Sequence, residues 1–180
     1  MSYLKWAALI VPSIVMAIVG RIFAPILPFF VQDDGYLPRW LWWFQTPDNP
    51  CDGDSGHWKR WPSTTAWGTY CRRVAWFLRN VCYGFDIDML GVEVLTTDLL
   101  LVEGNENAGD QTGISGTCKR WLYRDDKLIA WQVYVVKHYR ALGFHACVRV
   151  NLGWKLWGAK EGVKQFTAYF HPAKGLEREA

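Results

Sequence analysis

The sequence predicts an α+β fold: an amino-terminal membrane helix, one amphipathic helix, then an antiparallel β-meander of five or six strands. Three observations carry that reading. Residues 6–31 form an apolar run of 26 residues with a single charge, Arg21. Residues 64–82 place apolar side chains at three- and four-residue steps, the helical period. Beyond Gly84, β-branched and aromatic stretches alternate with Gly- and Asp-containing turns, the pattern of hairpins. The 180 residues suit one domain, or one domain with an appendage. They divide into an anchor (1–31), an aromatic interfacial segment and loop (32–63), and a helix plus antiparallel β domain (64–180). With 51% hydrophobic residues and a net charge of +3, a disordered chain and a polybasic nucleic-acid arm are excluded.

A spanning helix needs about 20 mostly apolar residues, so the first run is long enough. An Arg at mid-bilayer costs from about 2.5 kcal/mol upward. A span from Leu4 to Phe23 avoids that cost by placing Arg21 near one interface, where its side chain can reach the headgroups. Pro25 and Pro28 then break the helix, leaving APILPFF as a non-helical stretch in the interface. A cleaved signal peptide is the main competitor, with Lys5 before an apolar core over 6–14 and a cleavage site at Val15-Met16-Ala17. The apolar run continues for 14 residues past that site, which argues against cleavage, and an uncleaved anchor is expected ahead of a signal peptide or a buried core helix.

Seven of the 12 Trp fall between positions 40 and 76, interleaved with basic residues. Indole rings beside cations suit the headgroup layer. Trp40, Trp42, Trp43, Arg39, Lys59 and Arg60 are therefore the expected membrane-interface residues. The rival is an aromatic core, but the three rings of WLWW cannot all face one side of a regular element. Residues 46–63 are rich in Pro, Gly, Asp and Ser and read as a loop. Ser63 or Thr64 can cap the following helix. Its apolar face carries Trp67, Tyr70, Cys71, Val74, Phe77, Leu78 and Val81, with Arg72, Arg73 and Arg79 opposite.

Strands are expected over 91–102, on both sides of Arg124-Asp125-Asp126-Lys127, over 144–157 and over 165–171, with a polar loop at 103–117. Ile129, Trp131, Val133 and Val135 share one face of the strand after the hairpin turn. Charge is segregated. Residues 83–117 hold seven acids and no Lys or Arg, whereas residues 118–174 hold 11 basic residues against three acids. Such asymmetry suits docking to a partner or an anionic surface, and equally two solvated faces of one sheet.

Catalytic patterns are sparse. The five Cys show no CxxC spacing and an odd count, so they read as buried thiols in a reducing compartment. Asp48, Asp52 and Asp54 alternate as calcium ligands do, but Lys59 stands where a bidentate Glu is needed, and Asx turns explain the same residues. His138, His145 and Cys147 could hold zinc across a hairpin, without any HExxH or paired-Cys motif. Lys119-Arg120-Trp121-Leu122-Tyr123-Arg124 resembles a base-stacking platform, a pattern that a membrane-proximal sheet shares. No cofactor is expected, and nucleic acid is not the expected partner.

LPRWLWWFQTPDN (37–49), DGD (52–54) and FHACVRVNLGWKLWG (144–158), the last leading to an aromatic strand that ends at His171-Pro172, carry a resemblance. Together they resemble an uncharacterised family of small tailed-bacteriophage proteins with one amino-terminal hydrophobic segment. The resemblance implies a viral origin and a bacterial host membrane, and it transfers no catalytic role. The expected protein is thus a single-pass, non-enzymatic phage protein of interaction or structural type at the host envelope, with its β domain cytoplasmic. Its expected partners are the lipid bilayer and a host envelope or phage protein. A small zinc-dependent hydrolase and a nucleic-acid-binding module are the alternatives.

Overall fold

A computed structural model describes residues 2–141, 143–158 and 161–178. The fold is the expected mixture of an amino-terminal apolar helix, further helices and an antiparallel five-stranded sheet. It forms two compact units: Ala8–Leu90, and the residues up to Ala7 together with those from Gly91 onward.

The first unit is helical. Helix α1 spans Ser2–Phe23, close to the expected Leu4–Phe23, and accommodates Pro12 inside it. The Arg21 Nη1 atom folds back along the helix and donates to the Ala17 carbonyl at 3.0 Å. Gly20 is buried in a tight seat, where an added Cβ would lie 2.5 Å from the Cys82 Sγ atom. The Cys82 thiol donates to the Met16 carbonyl, and the Ser13 hydroxyl to the Asp86 carboxylate at 3.0 Å. One stripe of α1 thus belongs to the packing of its own unit. After Phe23 the chain forms a 3₁₀ helix at Leu27–Phe30, where a non-helical stretch was expected, because Pro28 occupies a first-turn position that needs no N–H.

A second 3₁₀ helix covers Arg39–Phe44, introduced by Pro38. The segment read as a continuous loop contains helix α2, Ser55–Arg60, capped by Asp54, whose side chain accepts from the His57 N–H at 2.7 Å. Helix α3, Ala66–Arg79, is shorter than the expected 64–82 and is capped by Thr65, one residue later than expected. Helix α4, Tyr83–Asp88, occupies the stretch between the expected helix and the first expected strand at 91–102. Six residues are too few to display a helical period. Gly84, which reads as a breaker, is the residue that lets the helix approach, since a Cβ there would sit 2.3 Å from the Trp42 carbonyl oxygen. Ala24, Leu27, Leu37, Cys51 and Phe77 form the core of this unit, with Val31, Leu41 and Phe44 packed against it.

The buried stripe of α3 departs from the expected one. Trp67 is 73% exposed, whereas Arg72, placed on the outer side by its charge, is only 2% exposed. The inward face runs through Arg72, Trp76 and Phe77. Arg72 is admitted because its charge is met. It donates to the Asp52 carboxylate at 2.9 Å and to the Ser63 carbonyl at 2.8 Å, and it lies 3.5 Å above the Trp58 ring.

In the second unit, β1 (Val92–Val94) pairs with β6 (Gly162–Lys164) in a two-stranded ribbon. The main sheet contains β2 (Leu99–Gly104), β3 (Gly116–Arg124), β4 (Lys127–Ala141), β5 (Phe144–Trp154) and β7 (Phe166–Arg178), antiparallel in that order. The expected strand at 91–102 is therefore two strands in different sheets, divided by a turn in which Asp98 accepts from the Leu95 N–H. Asp125 and Asp126 form the β3–β4 turn with φ of 48° and 60°, the left-handed pair that matches strand twist in a two-residue hairpin.

The more buried face of β4 is the opposite of the apolar one. Ala130, Gln132, Tyr134 and Val136 are buried, while Val133 and Val135 are only half-buried. Gln132 explains the inversion. Its Oε1 accepts from the Leu156 N–H at 3.1 Å, and its Nε2 donates to Asn151 at 2.9 Å. With both ends satisfied, a polar residue can occupy the core. On the other face Trp131 is covered by Tyr3 and Trp6 from the first turns of α1, with ring centroids 5.0 and 5.1 Å away.

Candidate functional site

The 3₁₀ helix RWLWWF at 39–44 repeats every three residues, so positions i and i+3 share a side. That period sorts its side chains three ways. Leu41 and Phe44 pack on the core. Trp40 and Trp43 are exposed, Trp40 by 71%. Arg39 and Trp42 line an open cleft of about 680 Å³, together with Trp43 and with Asp34, Tyr36, Leu37, Pro47 and Asp88. Among the described residues neither Arg39 nor Asp88 forms an ion pair, and Asp34 accepts from the Tyr36 N–H.

Beside the cleft runs an aromatic surface. Trp40 meets Phe30 edge-on at 5.6 Å, Phe29 meets Tyr70 at 5.5 Å, and Trp67 stacks on Tyr70 at 5.3 Å. Phe29 is 76% exposed, an unusual position for a phenyl ring unless something apolar covers it. Of the six residues expected at a membrane interface, Arg39, Trp42 and Trp43 come together in the cleft and Trp40 stands on its outer flank. Lys59 and Arg60 are exposed in the last turn of α2 and line no part of it.

The aspartates of the calcium-like pattern have separate tasks. Asp52 receives Arg72 and a two-pronged contact from Arg73 at 3.1 and 3.0 Å. Burial pushes its carboxyl pKa up, but the hydrogen bonds from Arg73 and Arg72 outweigh that and hold it below the usual carboxylate value. Asp54 caps α2 and pairs with Arg79 at 3.5 Å, and Asp48 is exposed in a turn. His57 is buried against Trp76, and its Nε2 lies 2.9 Å from the Arg72 carbonyl. Burial is the largest influence on its pKa and lowers it.

Over residues 1–178 the sequence matches a family described as a family of unknown function (DUF7338). The chain belongs to that family. No curated protein and no solved structure matches it.

In this family member the zinc candidates do share a sheet face, since His138 lies opposite Cys147 in the β4–β5 register. They do not converge as ligands. The His138 and His145 rings stack with centroids 5.4 Å apart and planes 8° from parallel, and His138 Nε2 is 3.0 Å from the Gly109 carbonyl. Cys147 is buried beside Tyr134 and Val136, and burial raises its thiol pKa. Among the described residues no three His, Cys, Asp or Glu side chains form a metal-holding group. The same face carries Arg149, which pairs with Asp110 at 2.9 Å and lies near the Tyr134 and Tyr169 rings. The stretch that resembles a base-stacking platform is charge-matched: Lys119 faces Glu103, Arg120 faces Glu106, and Arg124 faces Asp98. Asp34 and Asp88 of the cleft escape sequence reading because they are 54 positions apart and belong to no motif.

Proposed function

We propose that this protein is a membrane-anchored phage protein that works by non-enzymatic contact, as a docking or structural component at the envelope of a bacterial host. The carrying observation is the outward row of α1: Leu4, Val11, Val15, Ile18 and Ile22 are each more than half exposed. Apolar surface left in water is unfavourable by about 25 cal/mol per Å², and acyl chains would remove that cost. By length and apolarity α1 matches a hydrocarbon core of about 30 Å. With Tyr3 and Trp6 packed on Trp131 and Ser13 bonded to Asp86, however, the helix is read as lying in the membrane surface, its outward row toward the acyl chains. The exposed Phe29, Trp40 and Trp67 supply the aromatic belt that such an anchor needs at the headgroup layer.

A phage source is supported by the motifs at 37–49 and 144–158, and a cytoplasmic β domain by five free cysteines. High-pH carbonate extraction of expressing cells tests the anchor. The parent chain is expected in the membrane pellet. The variant V15K/I18K, which puts two charges on the outward row, is expected to shift toward the supernatant. Recovery of the parent chain in the supernatant would refute the reading.

A further inference from the structure

The cleft beside the aromatic surface has a charge pattern of its own. Its walls are three rings, Tyr36, Trp42 and Trp43, and its charges are Asp34 and Asp88 against Arg39. Each class of simple ligand leaves something uncompensated. A polyanion would meet two carboxylates with one guanidinium. A plain cation would leave Arg39 unanswered, and an apolar molecule would desolvate all three charges. A zwitterion with separated charges gives each sign a partner, and the second carboxylate, Asp34, already accepts from the Tyr36 N–H. Its ammonium suits aromatic faces backed by carboxylates, and its phosphate suits a guanidinium.

We propose that this cleft binds the headgroup of an amine phospholipid, with Arg39 on the phosphate and Asp34 and Asp88 about the ammonium. The volume of about 680 Å³ falls within the range of small-molecule sites, about 300–1,000 Å³, and exceeds what a headgroup alone would fill. Acyl chains can leave over the rim, because Trp40, the chain neighbour of Arg39, is exposed and joins Phe30 in an apolar flank. The occupant is accordingly a lipid and not a free zwitterion. The inference rests on the membrane reading, and adds to it a choice of headgroup.

Calorimetric titration of the full chain in non-ionic detergent tests it. The probes are dihexanoyl phosphatidylethanolamine, dihexanoyl phosphatidylglycerol and glycerophosphoethanolamine. The ethanolamine lipid is expected to saturate a single site at least about tenfold more tightly than the glycerol lipid. Asp88→Asn and Arg39→Gln alter exposed side chains. Each is expected to weaken that binding at least about fivefold with the melting temperature unchanged. Equal affinity for the two lipids, or parental affinity in both variants, would overturn the proposal. Glycerophosphoethanolamine binding as tightly as the lipid would overturn the lipid as occupant. Selective binding by a chain that carbonate releases from membranes would sink the anchor and leave the cleft standing.

Discussion

Replacing Asp52 with Asn (D52N) should destabilise the helical unit strongly for so small a change. Asp52 serves two guanidinium groups, and one of them, Arg72, is 2% exposed. Removing one partner of a buried ion pair costs about 3–5 kcal/mol. Asp52 is itself 21% exposed, and Arg72 keeps the Ser63 carbonyl and the Trp58 ring, so part of its charge stays compensated. An expected loss of about 2–3 kcal/mol follows from the reduced burial. The pH dependence carries the same signature. A carboxyl whose folded pKa lies below its unfolded value of about 3.9 stabilises fully above that value and loses the contribution as pH falls through the folded one. The gap between parent and D52N should therefore narrow progressively below about pH 4. Urea unfolding followed by tryptophan fluorescence in detergent, repeated across pH, measures both effects. The double variant D52N/R72M should recover part of the loss, because it removes the stranded charge. A D52N midpoint within about 0.5 kcal/mol of the parent at pH 7, the usual range for surface changes, would refute this account of Arg72.

Three further outcomes are expected. Gly20→Val should cost about 1–3 kcal/mol or more through overpacking, because its first side-chain atom would meet both Cys82 and Val81 within 2.8 Å; urea midpoints measure it, and parental stability would refute the tight seat. The Asp98 carboxyl should titrate at about 2 by carbon-detected NMR, held down first by hydrogen bonds from Arg124, and an ordinary midpoint near 3.8 would show that the Arg124 fork is absent in solution. Burial pushes the Cys51 and Cys82 thiols up to about 12, so maleimide at pH 7.5 should modify Cys71 first, and early labelling of Cys51 or Cys82 would contradict the packing.

Where periodicity runs long enough, the sequence is a sound guide. The apolar run yields α1, and the β3–β4 hairpin is legible from two alternating stretches around Asp125-Asp126. Short elements are not legible, because α2 and α4 have six residues each, fewer than two turns. Polar residues mislead for a different reason. Arg72 and Gln132 look like solvent-facing positions, and they become interior only because Asp52, Asn151 and the Leu156 N–H, distant in sequence, arrive to satisfy them. The candidate site divides along the same line. Arg39, Trp42 and Trp43 stand out as an aromatic-basic cluster, but the three-residue period that turns two of them inward is a property of the 3₁₀ helix. The carboxylates opposite are assembled by tertiary structure alone.

The seat of Gly20 against Cys82 also has a consequence for synthesis. Val81, Cys82 and Asp86, which meet the inner stripe of α1 at Gly20, Met16 and Ser13, are encoded more than 60 positions later. At about 5–20 residues per second, the newborn helix waits several seconds before any of them leaves the ribosome. During that interval the residues that will cover this stripe are not yet made. If the helix is the proposed anchor, its destination is chosen before its fold exists, and the later residues close on a helix already delivered.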